Sequence, residues 1–270
     1  MDQRIFKDDM MMDILGSLTK DCKIIYLNKV DSTNDYAKAR LAAASAAGGM
    51  NALPGAEIGC FAVVSDQQTA GRGRLGKTFE SPAGSGIYLS VVMDAPRSDD
   101  NLPMITVGTA VAVRRAILRV TGADPKIKWV NDLYLREKKV CGILVEGRTL
   151  AEGCMPAEGR TPIDDGVPAE SHTPIDDGEA ADGREAADGR ASKVVIGVGV
   201  NCFPAEFPDE IKEIAGPISD EPGSFSRGVL AAAIIDEVIA VVSAMSSDAA
   251  VSEVVAEYRA HCFTPELIEL

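Results

Sequence analysis

Apolar and polar positions change period several times along this 270-residue chain. Residues 9–19 carry an amphipathic pattern that predicts a short helix. Lys23–Val30 (KIIYLNKV) is rich in β-formers and ends at Asp31-Ser32-Thr33-Asn34, where Ser32 or Thr33 is placed to cap a helix over Asn34–Ala47. Ala42–Pro54 then passes into an Ala/Gly linker. Ile58–Ser65 and Gly86–Met93 are short apolar runs that predict buried strands, and Leu102–Val120 repeats its apolar residues at helical spacing. Lys126–Val130 alternates as a strand does. Lys139–Glu146 is expected to pair with it through a turn at Arg136-Glu137-Lys138. Val194–Asn201 predicts another strand, and Phe225–Met245 a long helix with Leu230, Ile234, Val238 and Val242 on one side. The pattern predicts one domain combining helices with β-hairpins rather than strictly alternating βαβ units.

Between the last two strand signals the periodicity disappears. From Thr149 to Ser192 there are 11 acids against 3 arginines, no aromatic residue, and the repeats TPIDDG and ADGR. Such a composition buries too little apolar surface to offset the entropy of ordering, so residues 149–192 are expected to be a disordered acidic insertion at a hairpin tip. A hairpin tip tolerates added length, and both flanking strands are expected still to pair.

The insertion changes the meaning of the charge. The whole chain holds 27 basic and 41 acidic residues, a net of −14, but 8 of those charges belong to the insertion. The rest is only mildly acidic. It lacks the basic stripe of a general nucleic-acid binder, and no direct DNA-binding role is expected. No run approaches the ~18 apolar residues that a membrane span needs. The N-terminal MDQRIFKDDMMMDIL lacks the charge order of a signal peptide. Six scattered cysteines, no C-x-x-C pair and two histidines give no metal-ligand cluster. Reduced thiols in a cytoplasmic protein are expected.

Three segments carry candidate chemistry. Ser65–Lys77 (SDQQTAGRGRLGK) contains Gly71, Gly73 and Gly76 in G-x-G-x-x-G spacing, the dinucleotide fingerprint. The fingerprint must open a helix, however, and Thr78–Gly86 has Pro82 and two glycines in the way. A flexible loop whose Arg72, Arg74 and Lys77 close over a phosphate fits better; a solvated basic loop is the plainer reading. In Lys126–Asp132 (KIKWVND), Lys126 and Lys128 share one strand face. That placement suits an anionic ligand on an inner strand or solvent on an edge strand, and spacing alone does not choose. In Val195–Asn201 (VIGVGVN), Gly197 and Gly199 occupy one strand face. Either a ligand lies flat there or a helix packs closely.

Together the blocks VDSTNDYA, QTAGRGRLGKTFESPAGSGIYLSVV, KWVNDLYL…KKVCGILVE and VVIGVGVNCF resemble, in order, the catalytic domain of biotin protein ligases. The resemblance runs from about Ile24 to Phe203, apart from the insertion, and weakens toward Tyr258-Arg259. It implies an α+β fold: a mixed, largely antiparallel sheet flanked by helices, related to class II aminoacyl-tRNA synthetases. It implies that Ser32, Thr33 and Asn34 line a biotin pocket, with Gln68 also in contact. Arg72, Gly73 and Arg74 would order over biotin and the adenylate phosphate. Lys128 would reach the biotin carboxylate and the bridging phosphate, and Asn131 and Asn201 would lie on the adenylate side. The implied substrates are biotin and ATP with Mg²⁺. The implied product is a biotinylated lysine on the biotin carboxyl carrier protein domain of a biotin-dependent carboxylase, made through biotinyl-5′-AMP by an enzyme that is a monomer or homodimer.

The chain departs from the family pattern in several places. Val130 stands where the lysine block usually has proline, and Cys141 where a small residue is usual. About 22 residues precede the first strand, too few for the winged helix-turn-helix of bifunctional members. The SH3-like module that usually ends the family's chains is expected to be absent after Leu270. A lipoate–protein ligase and a non-catalytic biotin or biotinyl-AMP binder are the competing readings.

Overall fold

The computed structural model describes residues 19, 22–46, 60–96, 102–149 and 192–263. The expected helix over 9–19 and most of the acidic insertion lie outside these. Seven strands form one sheet: β1 (Lys23–Leu27), β2 (Phe61–Ser65), β3 (Gly86–Asp94), β4 (Lys126–Lys128), β5 (Asp132–Leu135), β6 (Lys138–Thr149) and β7 (Ser192–Asn201). Their order across the sheet is β1-β2-β3-β7-β6-β5-β4. Only β1 and β2 are parallel; every other neighbour is antiparallel. The described residues form four α-helices, α1 (Thr33–Ala46), α2 (Leu102–Thr121), α3 (Arg227–Ala244) and α4 (Asp248–His261). The mixed, largely antiparallel α+β architecture is the one expected.

Strand alternation divides the sheet into two faces. Ala62 and Val64 of β2, Ile87, Leu89 and Val91 of β3, and Val194, Ile196 and Val198 of β7 join the larger core with α2 and α3. Their neighbours point the other way. Phe61, Val63, Val92 and Val195 form a small second core with Ala37 and Leu41 of α1. Farther along the same face the apolar residues give way to Ser90, Gly197, Gly199 and Gly142. The second face is therefore only partly roofed by α1, and the uncovered remainder forms a pocket.

Two details of the sequence reading change. Lys126–Lys128 does not pair with Lys139–Glu146. Its partner is Asp132–Leu135, reached by a tight turn over Trp129–Asn131, and the turn at Arg136-Glu137 joins β5 to β6. Arg136 and Glu137 have φ of 51° and 63°, the left-handed pair that a two-residue hairpin turn needs. Second, β4 ends the sheet, so Lys126 and Lys128 sit on an edge strand and are exposed, while Ile127 between them is fully buried. Of the two readings left open for the lysines, the edge reading describes their position. The Trp129–Val130 peptide bond is cis.

The hairpin flanking the acidic insertion is intact, with residues from Cys141↔Val200 to Thr149↔Ser192 in register. The N-cap of α1 is Ser32, whose Oγ accepts from the Asp35 N–H at 3.3 Å.

Candidate functional site

A cavity of about 560 Å³ opens on the partly roofed face. It gathers side chains from all four sequence blocks. Ser32, Thr33 and Asn34 enter from the start of α1. Gln68, Arg72, Gly73, Arg74 and Lys77 come from the loop after β2. Lys128 and Asn131 come from the β4–β5 turn, and Asn201 from the end of β7. Every site residue expected from the sequence lines this one cavity.

Its polar end is a connected network. The Thr33 N–H and Oγ1–H both donate to Gln68 Oε1, at 2.8 and 3.1 Å. Gln68 Nε2 donates to Ser81 Oγ at 2.9 Å. Ser90 Oγ lies 2.8 Å from Thr33 Oγ1 and 2.6 Å from Asn34 Oδ1. Asn34 Nδ2 donates to Glu146 Oε2 at 2.8 Å. Ser32, Thr33, Asn34 and Ser90 are all buried, and such groups hold their orientation because each finds a partner. The network thus offers fixed donors and acceptors to a small polar ring.

The glycine–arginine loop does not open a long helix. Arg74–Gly76 is one short 3₁₀ turn, after which the backbone returns: Arg72 bridges Thr78, and Gly73 N–H donates to Lys77 O at 2.7 Å. The dinucleotide fingerprint is therefore excluded, as its context predicted. At Gly71 an added Cβ would strike the Phe79 carbonyl and lie 2.8 Å from Ser81 Oγ, so the loop closes only with glycine there. Arg72 is tied back across the cavity mouth: NH1 meets Asp35 Oδ1 at 2.6 Å and NH2 meets Glu146 Oε1 at 3.5 Å. Lys38 joins the same two acids at 2.8 and 2.9 Å. Burial alone would raise the Asp35 carboxyl. The hydrogen bond and charge of Lys38, with those of Arg72, outweigh it and hold Asp35 below the usual carboxylate range.

The cavity floor explains the two strand glycines, and of the two open readings close helix packing is met, at Gly197. A Cβ at Gly197 would collide with the Asn34 side chain at the start of α1, so helix packing accounts for that position. A Cβ at Gly199 would stand 2.5 Å from the Phe79 ring, and one at Gly142 3.0 Å from the same ring. Phe79 thus lies flat over β6 and β7 inside the cavity.

Sequence reasoning missed two residues here. Phe79 was hidden in a segment noted only for helix breakers. Lys139 was named only as the first residue of an expected strand. Its Nζ lies 2.7 Å from Asp132 Oδ1 and 5.9 Å from the centre of the Phe79 ring, beside the glycine floor. Lys128 instead stands at the rim, 5.0 Å above the Tyr134 ring. Asn201 Nδ2 donates to the Lys139 carbonyl at 3.3 Å, and Asn131 Nδ2 to the Ile143 carbonyl at 2.9 Å, so both amides brace β6. The adjacent Lys138-Lys139 pair in the third block was the available signal. Alternation puts one of two neighbouring strand residues on the cavity face. Cys141, on the opposite face, is fully buried and its thiol is pushed up by desolvation, so it is a packing residue.

The model of the biotin/lipoate A/B protein ligase family matches residues 59–155. The bifunctional ligase/repressor BirA of Bacillus subtilis is 31% identical over 163 residues, 60% of this chain and 39% of that protein. The biotin–[acetyl-CoA-carboxylase] ligase of Mycobacterium tuberculosis is 36% identical over 99 residues, 35% of this chain and 37% of that protein. The chain thus spans about two fifths of the length of these curated relatives. Among solved structures, the biotin protein ligase of Aquifex aeolicus in complex with biotin and ATP superposes with a TM-score of 0.59 at 23% identity, covering 89% of this chain and 78% of that one. The Leishmania major biotin protein ligase with biotinyl-5-AMP gives 0.56 at 22%, covering 92% and 83%. These likenesses show a shared fold, that of the biotin protein ligases.

Proposed function

We infer that this chain, which carries a domain of the biotin/lipoate A/B protein ligase family, activates biotin with ATP as biotinyl-5′-AMP and transfers it to a lysine of a biotin carboxyl carrier protein domain. The carrying observation is the convergence of all four sequence blocks on one cavity with a polar end, an apolar floor and a cationic mouth. The Thr33–Gln68–Ser90 network suits the ureido ring of biotin. The Phe79 ring, seated on the glycine floor, offers an apolar surface that suits biotin's thiophane ring and aliphatic chain, which have no hydrogen bonds to make. Lys128, Lys139 and Arg74 line the same cavity and supply positive charge for a carboxylate and a phosphate, while Arg72 stands beside the polar network on the Glu146 that Asn34 contacts.

The chemistry asks little of the side chains beyond charge and shielding. The biotin carboxylate attacks the α-phosphate of ATP and pyrophosphate leaves. A carrier lysine amine then attacks the mixed anhydride and expels AMP. Negative charge collects on phosphate oxygens in the first step, so ammonium and guanidinium groups aimed there lower the barrier. No covalent protein nucleophile is needed. Closure of the Arg72–Lys77 loop would keep water from the anhydride. Among the described residues no group of three or more His, Cys, Asp or Glu could hold a metal. Mg²⁺ enters this account with ATP, whose phosphates supply ligands for it.

The test is incubation with biotin, Mg²⁺-ATP and a carrier domain, read by avidin blot. We expect labelling by the wild type, with Lys139→Ala, Lys128→Ala and Arg72→Ala each reduced about tenfold or more. Biotin binding without any label transfer would make the protein a binder only. Wild-type rates in all three variants would overturn the site assignment.

A further inference from the structure

Two thiols meet at the end of the sheet farthest from the cavity. Cys22 immediately precedes β1 and Cys60 immediately precedes β2. These strands are parallel with Lys23 opposite Phe61, so the register sets the preceding residues side by side. Their Sγ atoms are 3.3 Å apart, in hydrogen-bond contact. The two environments differ. Cys22 is 6% exposed within the larger core, while Cys60 is half-buried and open to solvent. Cys141, Cys202 and Cys262 are buried.

The surroundings set the two thiols apart. The hydrogen bond with Cys22, followed by the charge of Lys193, pulls the Cys60 thiol below its ordinary value against burial and Asp94. The same hydrogen bond, burial and the Asp236 charge push Cys22 up. One accessible thiol with thiolate character beside one buried thiol is the arrangement of an attacking and a resolving cysteine.

We propose that Cys22 and Cys60 form a peroxide-responsive dithiol in which Cys60 attacks the oxidant and Cys22 resolves it. The Cys60 thiolate displaces hydroxide from hydrogen peroxide, breaking the O–O bond and leaving a sulfenic acid. Cys22 Sγ then attacks Cys60 Sγ. The S–O bond breaks, and the hydroxyl leaves with the Cys22 proton as water. Two thiols lose two electrons and the peroxide takes them. The disulfide would close a loop holding β1, the Ser32-Thr33-Asn34 turn and α1. Since β1 and β2 are already in register, the bond staples the fold without moving the cavity.

Treatment of the reduced full-length chain with hydrogen peroxide, followed by intact mass and peptide mapping, tests this. The expected product is lighter by about 2 Da, the mass of two hydrogens, with Cys22 linked to Cys60. It should unfold about 5 °C or more above the reduced form, and reductant should reverse both changes. Cys60→Ser should slow peroxide consumption about tenfold. Cys22→Ala, which keeps the site small and apolar, should instead accumulate a sulfenic acid at Cys60. Cys154→Ser, outside the described residues, should behave like wild type. A disulfide mapped to any other pair, thiols at 22 and 60 that remain fully alkylatable after peroxide, or an unchanged melting temperature in the linked form would overturn the proposal.

Discussion

Asn34 commits its whole amide to the protein. Its oxygen takes the Ser90 hydroxyl, and its nitrogen reaches Glu146 and, at 3.4 Å, the Leu144 carbonyl. It therefore anchors the site rather than offering a free contact to a ligand, and Gly197 is glycine because this amide fills the space over it. Gly197→Ala should cost about 1–3 kcal/mol, read by urea unfolding, with weaker biotin binding by calorimetry; an unchanged midpoint would show that Asn34 can move aside. At Gly199 the neighbour is the Phe79 ring, so Phe79→Ala should partly relieve Gly199→Ala. A double-mutant cycle would show this as a coupling of about 0.5 kcal/mol or more. Asp35 governs the tether on Arg72. Its carboxyl is held below the unfolded value of about 3.9, so the tether's contribution is present above that pH and lost as pH falls through the folded value. Hydrogen-exchange protection of the Arg72–Thr78 loop, corrected for intrinsic rates, should thus be level from about pH 5 to 8 and drop in Asp35→Asn throughout. At this scale the sequence was legible in which residues line the cavity, Arg72 and Gln68 among them. It was not legible where a role depends on depth. Nothing in KWVND and KKV says that Lys128 stands on a rim and Lys139 beside the floor.

The elements were legible where apolar runs and a cap stand out. The runs Ile58–Ser65, Gly86–Met93 and Val194–Asn201 and the cap at Ser32 placed three strands and the start of α1 within a few residues. The β4–β5 pairing was not legible, because Asn131-Asp132 reads as a turn and β4 is only three residues long. Its stability comes from outside: Tyr258 of α4 donates to the Val130 carbonyl at 3.2 Å and meets Trp129 edge-on. Helix α4 is in turn pinned to α2 by Glu257, which pairs with Arg115 and lies 3.6 Å from Arg114. Glu257→Ala would leave the nearly buried Arg114 with Asp124 as its remaining acid and should cost about 1–3 kcal/mol. The Arg115 hydrogen bond, opposed by burial and aided by Arg114 and His261, holds the Glu257 carboxyl below its usual value. Its contribution is complete above about pH 4.3 and is lost as pH falls through the folded value. Acid unfolding should therefore begin at higher pH in wild type than in Glu257→Ala when each is scaled to its own neutral stability.

For the molecule as a whole, we expect the acidic segment and the fold to be separable. Thr149 and Ser192 are already paired, so the hairpin needs only a short turn between them. A chain with residues 150–191 replaced by a two-residue Asn-Gly turn would have a net charge of −6 instead of −14. It should keep its melting temperature within a few degrees and its biotin affinity unchanged. Loss of folding would show that the segment packs on the domain. The central claim concerns which acid the cavity activates. Pyrophosphate exchange into ATP, measured on the full chain with biotin and separately with lipoate, addresses it most directly. The account predicts exchange that depends on biotin and falls sharply in Lys139→Ala, with none above background for lipoate. Exchange with lipoate alone would contradict it.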